Sequence, residues 1–254
     1  MLRVRGETGP AVLLLPGGAA AVEGFFPGLA EGLIAEPGAR VIEYDRVPTL
    51  AGATSDLHAT IAEVGLGPVV VIGQSLGGAV ALLLARDHPD DVAGLVLLDA
   101  SPVNDVARCR QIAKTMRTVE ALHRLPVLGR AVPTLIAATG VNKHLRQATR
   151  PDVREAWERM KEMDVAQLAR AASGLDELAA GFREQDLPRV PAVVVTADRK
   201  PEAPIRRAHE RIAAALGAPI VSWPGADHNV QLTHPDEVLK VSRDVVSQVS
   251  GGRR

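Results

Sequence analysis

Cysteine is nearly missing from the chain: Cys109 stands alone, so no internal disulfide can form and no CxxC or Cys/His cluster offers structural zinc. That usage fits a reducing compartment. Aromatic residues make up only 2% of the chain, which requires an aliphatic core and removes the stacking platforms that hold single-stranded nucleic acid. Charge of either sign is balanced to a net −1, so the molecule has no overall electrostatic attraction for nucleic acid. No stretch approaches the roughly 18 apolar residues of a membrane span. The short apolar run Val12–Leu15, behind Arg3 and Arg5, stops at Pro16 and is too short for a secretory signal. A soluble cytoplasmic protein is expected, with neither nucleic acid nor membrane as partner; the sequence carries no mark of oligomeric state.

What is present is an alternation. Apolar, β-branched runs at Ala11–Leu15, Arg40–Tyr44, Val69–Ile72, Leu95–Leu98, Ala192–Thr196 and Ile220–Trp223 are separated by helical patterns at Val22–Ala35, Thr54–Val64, Gly77–Asp87, Ile205–Leu216 and Pro235–Val249. Continuous apolar strands alternating with helices predict an α/β fold, a doubly wound, mostly parallel sheet covered on both faces. Leu2–Arg5 alternates and predicts an added edge strand. Between Val103 and Leu187 no strand pattern occurs, only helical patterns broken by Pro126, Pro133, Gly140 and Pro151. The chain therefore divides into a core of residues 1–102 and 188–254 and a helical lid insertion at 103–187. The lid would stand over the C-terminal edge of the sheet, where open α/β sheets place their ligands.

The chemistry concentrates in Gly73-Gln74-Ser75-Leu76-Gly77, directly after a strand and directly before a helix. A hydroxyl nucleophile must project from a tight strand-to-helix turn, and only small flanking residues leave room for the neighbouring backbone. The composition gives about 0.06 chance matches to such a pattern in a chain of this length, before the strand and helix are required. A plain turn with a capping serine is the bland alternative. Leu15-Pro16-Gly17-Gly18-Ala19 ends the first buried strand. It fits neither GxGxxG nor GxxxxGK, so a phosphate cradle is disfavoured, while a simple turn stays open. As an oxyanion hole, the N–H groups of Gly18 and of Leu76 would be the two donors.

Among the histidines, His228 sits in a short loop, Gly225-Ala226-Asp227-His228-Asn229, between the last strand and the last helix, where an imidazole can reach the serine. Asp198 ends the strand before it and is expected to accept Nδ1–H of His228, unless it caps the helix near Pro204. Asp99 also ends a strand, but Ala100-Ser101-Pro102 behind it reads as a turn that would occupy its carboxylate locally. His58, His88 and His209 lie in or beside helices, His123 and His144 in the insertion, and all five are expected to be solvated or structural; His234 precedes Pro235 at a helix entry.

These motifs, in this order and spacing, resemble the α/β-hydrolase superfamily over nearly the whole chain: the PGG loop, YDR, GQSLGG, LVLLDASP, VVVTAD and GADH. The resemblance implies Ser75, Asp198 and His228 as catalytic triad and Gly18 and Leu76 as oxyanion donors. Two departures stand out. Pro16 occupies the place where many members carry a histidine, and Asp45–Ser55 lacks the usual Gly-rich DxRGxGxS run. The expectation is a serine hydrolase of a small carboxylic ester or related acyl compound, needing no cofactor and no metal. A thioesterase or acyltransferase with the same triad, or a non-catalytic ligand-binding receptor on the same fold, are the alternatives. In the insertion, residues 103–150 hold nine Lys/Arg against Asp105 and Glu120, while 151–187 hold nine acids against five bases. The two halves either pair and face water, or the first half draws an anionic substrate group.

Overall fold

The computed structural model describes residues 1–18, 20–47, 49–123, 141–161 and 165–252. Seven strands, β1 (Leu2–Arg5), β2 (Ala11–Leu15), β3 (Arg40–Tyr44), β4 (Val69–Gln74), β5 (Val92–Leu98), β6 (Ala192–Val195) and β7 (Ile220–Val221), form one sheet in the order β1-β3-β2-β4-β5-β6-β7. β1 pairs antiparallel with β3, and every other pairing is parallel. This is the doubly wound sheet expected from the apolar runs, with Leu2–Arg5 as its antiparallel edge. From β2 the chain crosses to β3 on one side, and from β4 to β5 on the other. The switch point therefore lies between β2 and β4, where such sheets open a crevice at their carboxyl ends.

Side chains alternate across each strand, so the sheet has two apolar faces. Leu13, Leu15, Val71, Leu95 and Leu97 pack with α2 (Ala53–Val64), α3 (Leu76–Asp87) and the helix at Pro204–Leu216. Val12, Leu14, Val70, Ile72 and Val96 pack with α1 (Leu29–Ala35) and the C-terminal helix Pro235–Gly251. Each fully buried Leu or Val contributes about 1.5–3 kcal/mol relative to exposure, which an aliphatic chain with few aromatics supplies by number.

Helix α1 is shorter than the expected Val22–Ala35. Gly24 and Gly28 take φ of +72° and +67°, and the Val22 N–H is taken by the Asp45 carboxylate at 2.9 Å, so the segment before Leu29 turns instead of coiling. Between β5 and β6 the described residues hold α4 (Val106–His123), α5 (Asn142–Gln147), α6 (Pro151–Lys161), α7 (Val165–Ala171) and α8 (Leu175–Ala180), and no strand. After β6 come α9 (Pro204–Leu216), α10 (Val230–Thr233) and α11 (Pro235–Gly251). Pro126, Pro133 and Gly140, with Arg124 and Arg130, lie outside the described residues. Among the described residues no helix is long and apolar enough to cross a membrane.

Candidate active site

Ser75 is the hinge between β4 and α3, with φ 52° and ψ −118°, a conformation that side-chain-bearing residues rarely adopt and that marks a functional turn when the surroundings enforce it. Its N–H donates to Leu98 O (3.1 Å), and its carbonyl accepts from Ser101 N–H (2.8 Å), so the end of β5 and the segment just after it fix the turn from both sides. The glycines are there because nothing larger fits. A Cβ on Gly73 would stand 2.6 Å from Gly77 O, one on Gly77 2.1 Å from Leu15 O, and one on Gly17 3.2 Å from Ser75 Cβ. The loop after β2 thus passes directly over the turn at Ser75. Gly77→Ala drives a methyl into backbone that cannot step aside, and is expected to destabilise the fold by about 1–3 kcal/mol. A urea unfolding midpoint equal to that of the wild type would refute this crowding.

Gly18 adopts φ +61° and is buried, and Arg46, itself buried, donates from Nη2 to Gly18 O and from Nη1 to Val47 O. Burial pushes the Arg46 guanidinium down to about 10. Arg46 thus steadies this loop from the segment that lacks the Gly-rich run. Leu76 is the first residue of α3, and the first bond closing its N-terminal turn runs from Ala79 N–H to Ser75 O. Amides in that first turn have no carbonyl four residues back to bond.

His228 lies beyond β7, and its main chain is held by Gln74 Nε2 donating to His228 O at 2.8 Å. Ser75 Oγ and His228 Nε2 are 2.9 Å apart. The structure therefore brings together the serine and histidine singled out in the sequence. The carboxylate on the far side of the ring is Asp99, with His228 Nδ1 donating to Asp99 Oδ2 at 2.6 Å. This corrects the expectation for Asp198. Asp198 is exposed and accepts Gly225 N–H at 2.9 Å, while its own N–H donates to Ala226 O at 2.7 Å. It fastens the histidine loop and does not touch the imidazole.

The reason lies in the register. Gln74, Leu98 and Val195 are lateral partners across β4, β5 and β6, so Ser75 and Asp99 leave adjacent strands side by side. Asp99 takes φ +44°, which turns its carboxylate away from the local turn and toward β6. There Ala197 N–H donates to Oδ1 at 2.9 Å, and Arg199 places its guanidinium fork on both oxygens, Nη2 lying 2.6 Å from Oδ2. Asp198 and Arg199 are sequence neighbours that face opposite ways, and the arginine is the one that faces in. Burial alone would raise the Asp99 carboxyl, but the hydrogen bonds from Arg199 and His228 outweigh it and hold the group well below the usual carboxylate range. Because the folded value lies below the ordinary 3.8, the stability this carboxylate contributes is complete above about pH 4 and is lost as pH falls through the folded value.

Two further residues complete this cluster. Arg199 has no place in the sequence reading, although its charge next to a strand end is a signal that points to it, whereas His209 is among the residues expected to be solvated or structural. His209 is buried, donating Nε2–H to Ala100 O at 2.8 Å with Nδ1 3.9 Å from Asp99 Oδ1; burial keeps its pKa below the ordinary value. His144 of α5 reaches Asp227, beside His228, at 2.9 Å and stacks on Trp157 of α6 at 4.5 Å. Trp223 stacks on His234 at the entry to α11. Cys109 is no competing nucleophile, because burial pushes its thiol up to about 12.

Among the described residues, His58, His88 and Asp91 bring possible metal-ligand atoms within 4.8 Å of one another. They lie at the end of α3 opposite Ser75, and the His58 and His88 rings stack at 4.3 Å with planes 10° apart. A metal in the plane of one ring would stand out of the plane of the other, so the group as placed is a stacked pair and not a ligand set.

A hydroxyl, an imidazole and a buried carboxylate joined in series can move a proton off the hydroxyl and stabilise the imidazolium that results. A sequence model of the alpha/beta hydrolase family matches residues 12–241. The lipase LipV of Mycobacterium tuberculosis is 47% identical over 68 residues, 27% of this chain and 26% of that protein. The sn-1-specific diacylglycerol lipase ABHD11 of Mus musculus is 30% identical over 113 residues, 40% of this chain and 37% of that protein. These matches thus span about a quarter to two-fifths of the curated relatives' length. Among solved structures, a thermophilic esterase from Thermogutta terrifontis superposes with a TM-score of 0.74 at 24% identity, covering 98% of this chain and 93% of the other, a likeness of fold.

Proposed function

The chain belongs to the alpha/beta hydrolase family, and from that premise we propose that it is a serine hydrolase cleaving a small carboxylic ester or related acyl compound through an acyl-serine intermediate. The observation that carries this reading is the continuous series Ser75 Oγ, His228 Nε2, His228 Nδ1 and Asp99 Oδ2, with links of 2.9 and 2.6 Å. Ser75 attacks the acyl carbon while His228 takes its proton. The negative charge that develops on the carbonyl oxygen is met by the N–H groups of Leu76 and Gly18. His228 then protonates the leaving alcohol, the acyl group stays on Ser75, and a water activated by the same imidazole releases the acid. Asp99 keeps Nδ1 protonated and stabilises the imidazolium in both halves.

The insertion, residues 103–187, serves as a lid on this reading. Leu168 of α7 stands over the oxyanion loop, its Cδ1 2.9 Å from where a Cβ on Gly18 would be, so an acyl chain leaving the site meets an apolar wall. The lipase names of the partly matching relatives point the same way, toward esters with an apolar acyl part. The test is covalent labelling. A fluorophosphonate should attach to the folded protein at Ser75 alone, and p-nitrophenyl esters graded by acyl length should be turned over. Absence of labelling, or a label on another residue, would overturn the proposal.

A further inference from the structure

Arg199 is the member of the cluster that a serine–histidine–aspartate mechanism leaves unused. It comes from the loop after β6, the place where the orienting acid was expected, and it carries the opposite charge. Its two Nη atoms fork onto the two oxygens of a carboxylate that is 1% exposed, and its own side chain is 21% exposed. Bidentate arginine–carboxylate pairs fix both position and orientation, which a lysine cannot do. The same Oδ2 accepts from Arg199 Nη2 and from His228 Nδ1, each at 2.6 Å, so the guanidinium edge lies within about 5 Å of the ring that must become positive.

We propose that Arg199 is a positioning residue acting through Asp99: its fork aims the carboxylate at His228, and its charge sets the pH range over which His228 acts as a base. This rests on the proposed roles of Ser75, His228 and Asp99. With Arg199 present, the carboxylate and guanidinium are together neutral, and protonating His228 gives the cluster a net positive charge. Without it the imidazolium would face an uncompensated carboxylate and form more easily. A unit charge at that distance, partly screened by solvent, moves a neighbouring titration by about one pH unit.

The other groups around the ring are accounted for. His209 of α9 holds its proton on Nε2 toward Ala100 O and brings no charge. Asp227, next to His228, is bound by Asn229 N–H and by His144 of α5. Asp198 is engaged with Gly225 N–H. Ser75, at the turn before α3, brings no charge. Arg199 is the cation set directly on the orienting carboxylate.

The experiment is the pH dependence of kcat/KM for p-nitrophenyl butyrate with wild type, Arg199→Lys, Arg199→Met and Arg199→Gln. Both neutral variants should move the acid limb up by about one pH unit and lower the plateau roughly 10–100-fold as the carboxylate loses its fork. Arg199→Lys should keep the limb at the wild-type position and still lose part of the plateau. Neutral variants that lose activity with an unmoved limb would overturn the role of the charge. A lysine variant with full turnover would overturn the role of the fork, and this arm decides even if the neutral variants do not fold. Ser75→Ala separates the two levels. If it hydrolyses the ester like wild type, the proposed function falls; if it is inactive while the Arg199 limbs coincide, only the present inference falls.

Discussion

Alanine in place of Ser75 is expected to lower ester turnover by about 10⁴ to 10⁶, leaving only the slow reaction that binding and oxyanion contacts support without a nucleophile. The loss should fall on kcat, because the hydroxyl contributes little to substrate binding. The fold should survive with little change: Ser75 bonds to its neighbours through its backbone N–H and carbonyl, which alanine keeps. The strained φ of 52° is held by those bonds and by the glycines around it, so the variant remains a fair comparison. Purified Ser75→Ala protein with native circular dichroism and wild-type hydrolysis of p-nitrophenyl butyrate would remove the acyl-serine route altogether.

Asparagine at position 99 should cost about 10⁴ in turnover, the loss expected when an orienting carboxylate becomes an amide and the imidazole is no longer held in the productive tautomer. Two effects combine. The amide cannot accept from both His228 Nδ1 and the Arg199 fork, and it leaves the Arg199 charge with no counter-ion. Some loss of stability is therefore expected alongside the catalytic defect, and the comparison is made on the folded fraction. Asparagine at position 198 should cost under about tenfold, because its side-chain oxygen still accepts Gly225 N–H and the histidine loop keeps its anchor. The reverse ranking of the two variants on one ester would mean that His228 turns to Asp198 in solution.

That ranking inverts what the sequence suggests, and the reason is physical. The strands, the turn at Ser75 and the histidine loop are written locally: continuous apolar runs specify buried parallel strands, and Gly73 and Gly77 are dictated by backbone 2.1–2.6 Å from where a Cβ would stand. The choice between Asp99 and Asp198 is not local. Both end strands at the same edge of the sheet, and what separates them is whether Asp198 or its neighbour Arg199 faces inward, which depends on β6 standing beside β5. A buried acid needs donors, and Asp99 finds them in Arg199, 100 residues further along the chain. His209 was legible in a different way: it shares the helical face of Ile205, Ala208 and Ile212, and α9 indeed buries Ala208, His209, Ile212 and Ala213 together. Helix α1 is shorter than its periodic pattern because periodicity is blind to the positive φ that Gly24 and Gly28 adopt.

The imidazole of His228 is 51% exposed while the carboxylate behind it is 1% exposed. The two ends of the series thus meet different solvents. Bulk water can exchange a proton with the ring directly, so no internal relay has to deliver or remove one, and proton supply is not expected to limit turnover. On the proposed acyl-serine route, the same openness bears on the fate of the acyl group. A site that lets water touch the base gives water constant access to the second half of the reaction, and an acceptor alcohol or thiol would have to displace it each time. Partition of the acyl-enzyme should therefore favour release of free acid even in the presence of added short alcohols.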